Sequence, residues 1–223
     1  MKFETDIELF KFMEKKFYAG VLSDILDTLG YAHCAASPRV MIRPLDPQAV
    51  CAGRVRTLLN APRKTGRENP YRLALEFMDS LNQGDVAVAG STSPLETGIM
   101  GELSATAMRS RGARGCLVDG FTRDARKIIK MKFPVFARGV SPIDTTDRAA
   151  VIKLDCPLTF AGCRVLPGQI VFADLDGIVF IPKEVEEKVI GQALKKIQAE
   201  ARVRKELGEG KAARRVWDRY RVF

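Results

Sequence analysis

The chain reads as an α/β protein, and three features of its 223 residues point that way. Apolar residues at helical intervals open it, short apolar runs between Gly and Pro turns fill its middle, and a long charge-rich helical stretch closes it. A strand-rich middle flanked by helices fits a sandwich or barrel-like core better than a regular doubly wound sheet.

At the start, Leu9, Phe10, Phe12, Met13 and Phe17, then Val21, Leu22, Ile25, Leu26 and Leu29, keep a helical spacing that stops at Gly30. This predicts two short helices. Ser23 and Asp24 fall in the second, where capping or surface exposure accounts for both. Residues 31–48 hold three prolines and read as a loop. Residues 49–59 alternate as a strand, 62–69 form a basic exposed loop, and 71–81 are helical. Gly84 and Asp85 then turn the chain into the buried strand Val86, Ala87, Val88 and Ala89. A helix over 103–112 precedes the apolar run Cys116, Leu117 and Val118, a short buried strand that Asp119 and Gly120 end. Further strands are expected at 134–138, 150–154, 163–166, 169–173 and 178–181, and the last element is a helix from 183 to about 207 that reaches beyond its own domain. The expectation is one domain over 1–223, with a helical extension over 183–223.

Hydrophobic residues make up 46% and charged residues 28%, a globular balance that argues against disorder. No apolar run reaches the length of about 18 residues that spans a membrane, and the acidic start MKFETDIELF lacks a signal peptide's basic and apolar segments. A cytoplasmic protein without a membrane partner is expected. Five cysteines at irregular spacing, with no C-x-x-C, signal neither a zinc knuckle nor a disulfide framework and read as buried thiols. His33 is the only histidine, which excludes sites needing two imidazoles. Beside Cys34 in a loop, it reads as structural.

A net charge of +9 would attract nucleic acid, membrane phosphates or small anions alike. In the C-terminal stretch the basic residues are interleaved with Glu200, Glu206 and Glu209, as on a solvated amphipathic helix. Few aromatic faces, Trp217 and Tyr220 among them, accompany the basic residues there, so nucleic acid is not the expected partner. No G-x-G-x-x-G opens a helix after a strand, so no dinucleotide site is read.

The chemistry concentrates in GELSATAMRSRGARGCLVDGFTRDARKI, residues 101–128. The predicted helix places Glu102 and the amides of Gly101, Glu102, Leu103 and Ser104 at its N-terminus, where free N–H groups and the dipole favour an anion. Arg123 and Asp124 fall just beyond a strand's carboxyl end, where ligands gather in open α/β sheets. Asp124 is a hard oxygen ligand suited to Mg²⁺ or Mn²⁺. Glu102 could hold a water of such an ion or act as a base, and Arg123 could grip an α-keto acid with its planar fork. Taken singly, Glu102 reads as a helix-start charge, and Arg123 with Asp124 as a surface pair flanking a helix cap. The loop 61–70, with Arg63, Lys64 and Arg67, could bind a second carboxylate or simply be solvated.

With Gly101, Glu102, Ala105, Gly112, Gly115, Val118, Asp119, Gly120, Arg123 and Asp124 in register, this stretch resembles the marker of the RraA-like family. That family includes the class II 4-hydroxy-4-methyl-2-oxoglutarate/4-carboxy-4-hydroxy-2-oxoadipate aldolases. The marker is an acid, twenty intervening residues, then Arg-Asp. The likeness continues through residues 133–139, Pro167 and Gly168, residues 174–177, and Ser23 with Asp24, and so covers most of the chain.

The resemblance implies a swivelling β/β/α core with N-terminal helices and a long C-terminal helix, in a homotrimer or homohexamer with active sites at subunit interfaces. It implies retro-aldol cleavage of a small anionic 4-hydroxy-2-oxo acid to pyruvate with Mg²⁺ or Mn²⁺, and oxaloacetate decarboxylation by the same enolate logic. Asp124 would then ligate the metal, with Glu102 joined to it through water. Arg123 would bind the keto acid and stabilise its enolate, and the amides of Gly101, Glu102, Leu103 and Ser104 would hold its carboxylate. Glu200 best matches an acid supplied by a neighbouring subunit's C-terminal helix. Glu102 stands where the characterised aldolases carry Asp, and the extra methylene moves the carboxylate by one carbon–carbon bond. Other members of the family are sugar-acid dehydratases and non-enzymatic ribonuclease-binding regulators. The regulators typically lack the acid and the long C-terminal extension, both present here.

Overall fold

The computed structural model of the protein describes residues 3–64 and 69–222. The N-terminal periodicity becomes α1 (Asp6–Lys16) and α2 (Ala19–Thr28). Thr5 caps α1 by accepting the Glu8 N–H, and α1 carries Asp6 and Glu8 in its first turn and Lys15 and Lys16 in its last, as the helix dipole favours. Gly30, just past α2, takes the left-handed conformation at φ +82° that stops such helices.

The strands in chain order are β1 (Arg43–Pro44), β2 (Cys51–Pro62), β3 (Asp85–Ser91), β4 (Gly115–Thr122), β5 (Val135–Val140), β6 (Ala149–Leu154), β7 (Leu158–Phe160), β8 (Cys163–Val165), β9 (Ile170–Ala173) and β10 (Ile178–Ile181). The later helices are α3 (Arg72–Asp79), α4 (Glu102–Ser110), α5 (Ala125–Met131), α6 (Glu186–Gly208) and α7 (Ala213–Tyr220).

One sheet runs β1-β5-β4-β3-β2-β9-β10, with β6 also on β2. The strands β2, β3, β4 and β5 are mutually parallel, and the others join antiparallel. The length of β2 serves two partners on one side: residues 51–54 pair with β9, and 58–62 pair with β6 past an irregularity between Leu59 and Asn60. This curled α/β sheet, with helices at both chain ends, is the fold class the sequence predicts.

Burial explains why the strands read as near-continuous apolar runs: the sheet is covered on both faces. On one face, Ala87, Ala89, Cys116, Val118 and Val135 pack under α3, α4 and α5, with Phe77, Met108 and Ile128 filling the layer. On the other, Val86, Val88, Leu117 and Phe136 meet Leu158, Phe160 and Val165 of the β7–β8 hairpin. In β9 and β10 the side chains alternate strictly. Val171 and Phe180 join this second layer, whereas Phe172 and Val179 turn to a third core with α1, α2 and α6.

Several boundaries differ from expectation. The strand thought to end at Asp119 and Gly120 continues to Thr122, because its pairing with β5 shifts register between Val118 and Phe121 and then resumes. An irregularity of this kind re-aims a strand without ending it. Asp119 accepts from Arg138 Nε at 2.7 Å and from the Ala161 N–H at 3.0 Å, so it ties β5 and the β7–β8 turn to β4. The proline-bearing loop 31–48 contributes the two-residue strand β1. The segments α5 and β7 form where no element was expected, and α7 falls within the helical extension expected over 183–223. Of the stretch 62–69, residues 65–68, including Arg67, lie outside the described residues.

The first half of the C-terminal helix packs on the rest of the chain. Its Val189, Ile190 and Ala193 are buried against α2 and β10, Lys196 pairs with Asp24, and Glu200 accepts the Tyr18 hydroxyl at 2.6–2.7 Å. The helix α7 folds back on α6 through buried Val216 and through Arg219 and Tyr220 on Glu206. Cys51, Cys116, Cys156 and Cys163 are buried free thiols, and burial pushes Cys116 and Cys163 up to about 12; Cys34 is half-buried. No helix among the described residues is long and apolar enough to cross a membrane.

Candidate active site

The carboxyl ends of the parallel strands β2, β3 and β4 open on one side of the sheet, and the first turn of α4 comes to that rim. The segment before α4 is zipped to the end of β4. Gly98 bridges Phe121, the Ile99 N–H donates to the Phe121 carbonyl, and the Met100 carbonyl accepts both the Thr122 hydroxyl and the Arg123 N–H. Gly101 is thereby pressed onto the Arg123-Asp124 pair. A Cβ at Gly101 would stand 2.7 Å from Asp124 Oδ2 and 3.1 Å from Arg123 Cγ, inside contact distance. Only glycine allows this approach.

Asp124 is the N-cap of α5 and takes a left-handed backbone, φ +57°, a conformation that Asp tolerates better than most residues. Its Oδ2 accepts the Glu102 N–H at 3.1 Å and lies 3.8 Å from Arg123 Nε. One of the four amides expected to hold a substrate carboxylate is therefore engaged by Asp124. Those of Leu103 and Ser104 are first-turn amides without an intrahelical acceptor, and both residues line the adjoining cavity. The Glu102 side chain accepts from the Thr106 hydroxyl at 3.0 Å and sits 3.9 Å from Lys127 Nζ, while its backbone touches Asp124. Arg123 and Asp124 thus meet the backbone of Glu102, while the Glu102 carboxylate turns to Thr106 and Lys127.

Sequence reasoning missed Asp144. Its Oδ1 accepts from Arg123 Nη1 at 2.6 Å, and its Oδ2 accepts from the Tyr71 hydroxyl at 2.9 Å and from Thr146. The Thr146 hydroxyl, then Tyr71 and the Thr146 and Thr145 amides, hold the Asp144 carboxyl well below the usual carboxylate range, against a smaller opposing effect of burial. A carboxylate so fixed is a positioning group for the guanidinium. The Asp-Thr-Thr-Asp run around it was the available signal, since short polar residues after Asp supply such bonds.

Because the folded-state pKa of Asp144 is depressed, its contribution to stability is fully present above the unfolded value of about 3.9 and is lost as pH falls through the lower folded value. Asp144→Asn should therefore be less stable than the parent at pH 7. Urea unfolding across pH 2–7 should show that difference shrinking below about pH 4. A constant difference would detach the effect from ionisation.

The donor set can be tested against a divalent cation. Asp124 offers a carboxylate that is 39% exposed, with the Glu102 N–H on it and the Glu102 carboxylate turned to Thr106 and Lys127. Among the described residues no group of three His, Cys, Asp or Glu side chains is gathered for a fully protein-bound ion. Mg²⁺ and Mn²⁺ keep several waters and take one or two carboxylates, so this sparse oxygen set fits them.

Glu200 and the lone histidine, the latter read as structural, stand elsewhere within the chain. Glu200 is held by Tyr18, at the junction of α1 and α2. His33 is exposed at φ +68° beside a separate depression with Ser23 and Asp27. Arg63 and Lys64 are absent from the lining of the Arg123 cavity.

Residues 22–180 match the family described as RraA-like: Aldolase/RraA. A protein of Halalkalibacterium halodurans named "Putative 4-hydroxy-4-methyl-2-oxoglutarate aldolase" is 29% identical over 155 residues, 70% of each chain. A solved Streptomyces coelicolor structure, described as RraAS2, an unusual member of the RNase ES inhibitor RraA protein family, superposes with a TM-score of 0.78 at 24% identity, covering 92% of this chain and 99% of that one. The RNA-processing inhibitor RraA from Thermus thermophilis gives 0.58 at 25% identity, covering 74% of this chain and 96% of that one. The elements α1, α6 and α7 lie outside the matched residues.

Proposed function

Because the chain belongs to the RraA-like family, we propose that it is a divalent-metal-dependent lyase that cleaves a 4-hydroxy-2-oxo acid to pyruvate. The observation that carries this reading is the glycine-only contact between the α4 N-terminus and the Arg123-Asp124 pair. It brings an anion-binding helix end, a guanidinium and a metal-type carboxylate to one point. The name of the Halalkalibacterium halodurans relative supports the same reaction class.

In this reading the Leu103 and Ser104 amides hold the substrate carboxylate, and Asp124 holds the cation, with Glu102 reaching it through a water. Bound there, Mg²⁺ or Mn²⁺ would polarise the 2-keto oxygen. Glu102 takes the proton of the 4-hydroxyl, directly or through water, a carbonyl forms at C4, and the C3–C4 bond breaks. The electron pair passes to C3 and the keto oxygen, and Arg123, steadied by Asp144, offsets the negative charge that develops. Protonation at C3 completes pyruvate. Copies of the chain in a trimer or hexamer would add Glu200 of a neighbour to the site.

The test is pyruvate release from oxaloacetate and from 4-hydroxy-2-oxo acids with carboxyl and hydrocarbon tails, each with Mg²⁺, Mn²⁺ or EDTA. Release that needs the cation and disappears in Asp124→Ala is expected. No pyruvate from any of these substrates would overturn the reading and leave sugar-acid dehydration or a ribonuclease-binding role.

A further inference from the structure

Alternation along β2 puts Asn60 on the same face as Leu58, in the layer covered by α3 and α4. An apolar residue is the ordinary choice there, yet the position holds a carboxamide that is 4% exposed. Burying an amide without partners is costly, so each of its polar atoms needs an account. Nδ2 donates to the Gly90 carbonyl of β3 at 3.1 Å. Because a carbonyl needs a donor, this bond also fixes which end of the amide carries the nitrogen. Among the described residues no donor is bonded to Oδ1.

Asn60 lines the cavity that also holds Ser104 and Arg123, a space of about 340 Å³, within the range of about 300–1,000 Å³ usual for small-ligand sites. Oδ1 is therefore an acceptor set at the cavity for a donor that a ligand brings. In the sheet order β4-β3-β2, the end of β2 lies about 10 Å across from the end of β4, where Arg123 follows. A small acid that starts on the Ser104 amide and passes Arg123 crosses this gap toward Asn60. Of the groups such an acid carries, a hydroxyl has a proton to give an acceptor; a ketone, a carboxylate and a hydrocarbon have none.

We propose, on the premise of the lyase reading above, that Asn60 is a specificity-determining residue whose Oδ1 accepts a hydrogen bond from the 4-hydroxyl of the bound 2-oxo acid. The bond is made in the ground state and sets the direction of the C4–O bond. Rotation about C4–O then presents the proton to the base before C3–C4 breaks. Asn60 thus contributes to binding rather than to the chemical step, and its loss falls on KM.

Kinetic assays of the full-length protein with Mg²⁺ test it. Asn60→Leu nearly keeps the side chain's shape and removes the acceptor. It should raise KM for a 4-hydroxy-2-oxo acid by about five- to tenfold, the worth of one neutral hydrogen bond, with kcat within about threefold of the parent. Oxaloacetate has no hydroxyl at C4 and is the control within the same site, so its KM or inhibition constant should stay at the parental value. A merely structural role for Asn60 would move both. Asn60→Ala, which leaves more room beside Gly90, should give the same split if the leucine variant folds poorly. The unaltered protein supplies a third reading. In 4-methyl-2-oxopentanoate a methyl group replaces the hydroxyl of 4-hydroxy-2-oxopentanoate, and its inhibition constant should lie about fivefold or more above the KM of the hydroxy acid. Equal rises for both substrates, no rise for the hydroxy acid, or equal affinity for the methyl compound overturns the role of Asn60 and leaves the lyase reading intact. No pyruvate from any substrate overturns the lyase reading and this assignment with it.

Discussion

Replacing Arg123 by Ala is expected to lower kcat for pyruvate release by about 10²–10³-fold, the usual loss when a donor to a developing oxyanion is removed. The fold should survive the change. The side chain is 36% exposed, and the bonds that seat this segment, from the Arg123 N–H and the Thr122 hydroxyl to the Met100 carbonyl, belong to groups the substitution leaves in place. Arg123→Lys should recover little of the loss. A lysine cannot present a planar fork to Asp144 on one side and to a keto acid on the other. Steady-state kinetics paired with circular dichroism decides the matter: a folded Arg123→Ala protein with parental kcat removes Arg123 from the chemistry.

The second large effect is expected at a residue with no functional group. Gly101→Ala should cost about 10²-fold in kcat/KM, because misplacing reactive groups by about an ångström is worth that much. Gly101 has an extended backbone, φ −130° and ψ −171°, which alanine adopts freely, so no backbone strain arises. The new methyl must displace Asp124 Oδ2 from 2.7 Å and crowd Arg123 Nε at 3.2 Å. Stability should fall by only about 1–3 kcal/mol, as for other overpacking. Gly191→Ala on α6, where a methyl meets nothing within 4 Å, is the control and should leave kcat/KM at the parental value. If Gly101→Ala shows full activity, the close packing of α4 on Arg123 and Asp124 is not what orders the site.

Most of this architecture could be read from the chain because its local signals and its tertiary environment agree. The helical spacing of Leu9, Met13 and Phe17 and the β-branched runs of β9 and β10 each describe a surface that is in fact buried. Failures came where pairing partners are remote. Nothing local in Arg43 and Pro44 announces a strand, since only the Ala137 and Phe136 backbones opposite make it one. Asp119 and Gly120 have the composition of a turn, but the edge of β5 carries the strand past them. The same division runs through the site. Arg123, Asp124 and the backbone of Glu102 share one β-α-β segment, so their spacing already encodes their meeting. Asp144 comes to Arg123 from the loop before β6, and no periodicity links the two. The engagement of the Glu102 amide by Asp124 was likewise invisible, because it depends on how closely Gly101 lets the two elements approach.

A broad apolar sheet carries a hazard that has nothing to do with catalysis: each unpaired end is a template on which another chain can add a strand. Here both ends of the main strand path are blunted. At one, β1 is two residues long and includes Pro44, which has no N–H to offer. At the other, the outer edge of β10 is already used, with Phe180 N–H on the Cys34 carbonyl, Ala36 N–H on the Ile178 carbonyl and Ala35 bridging Val179. Among the described residues, the outermost strand at neither end presents a long row of vacant donors and acceptors. Growth into fibrils by backbone pairing is therefore disfavoured at the two ends of this path.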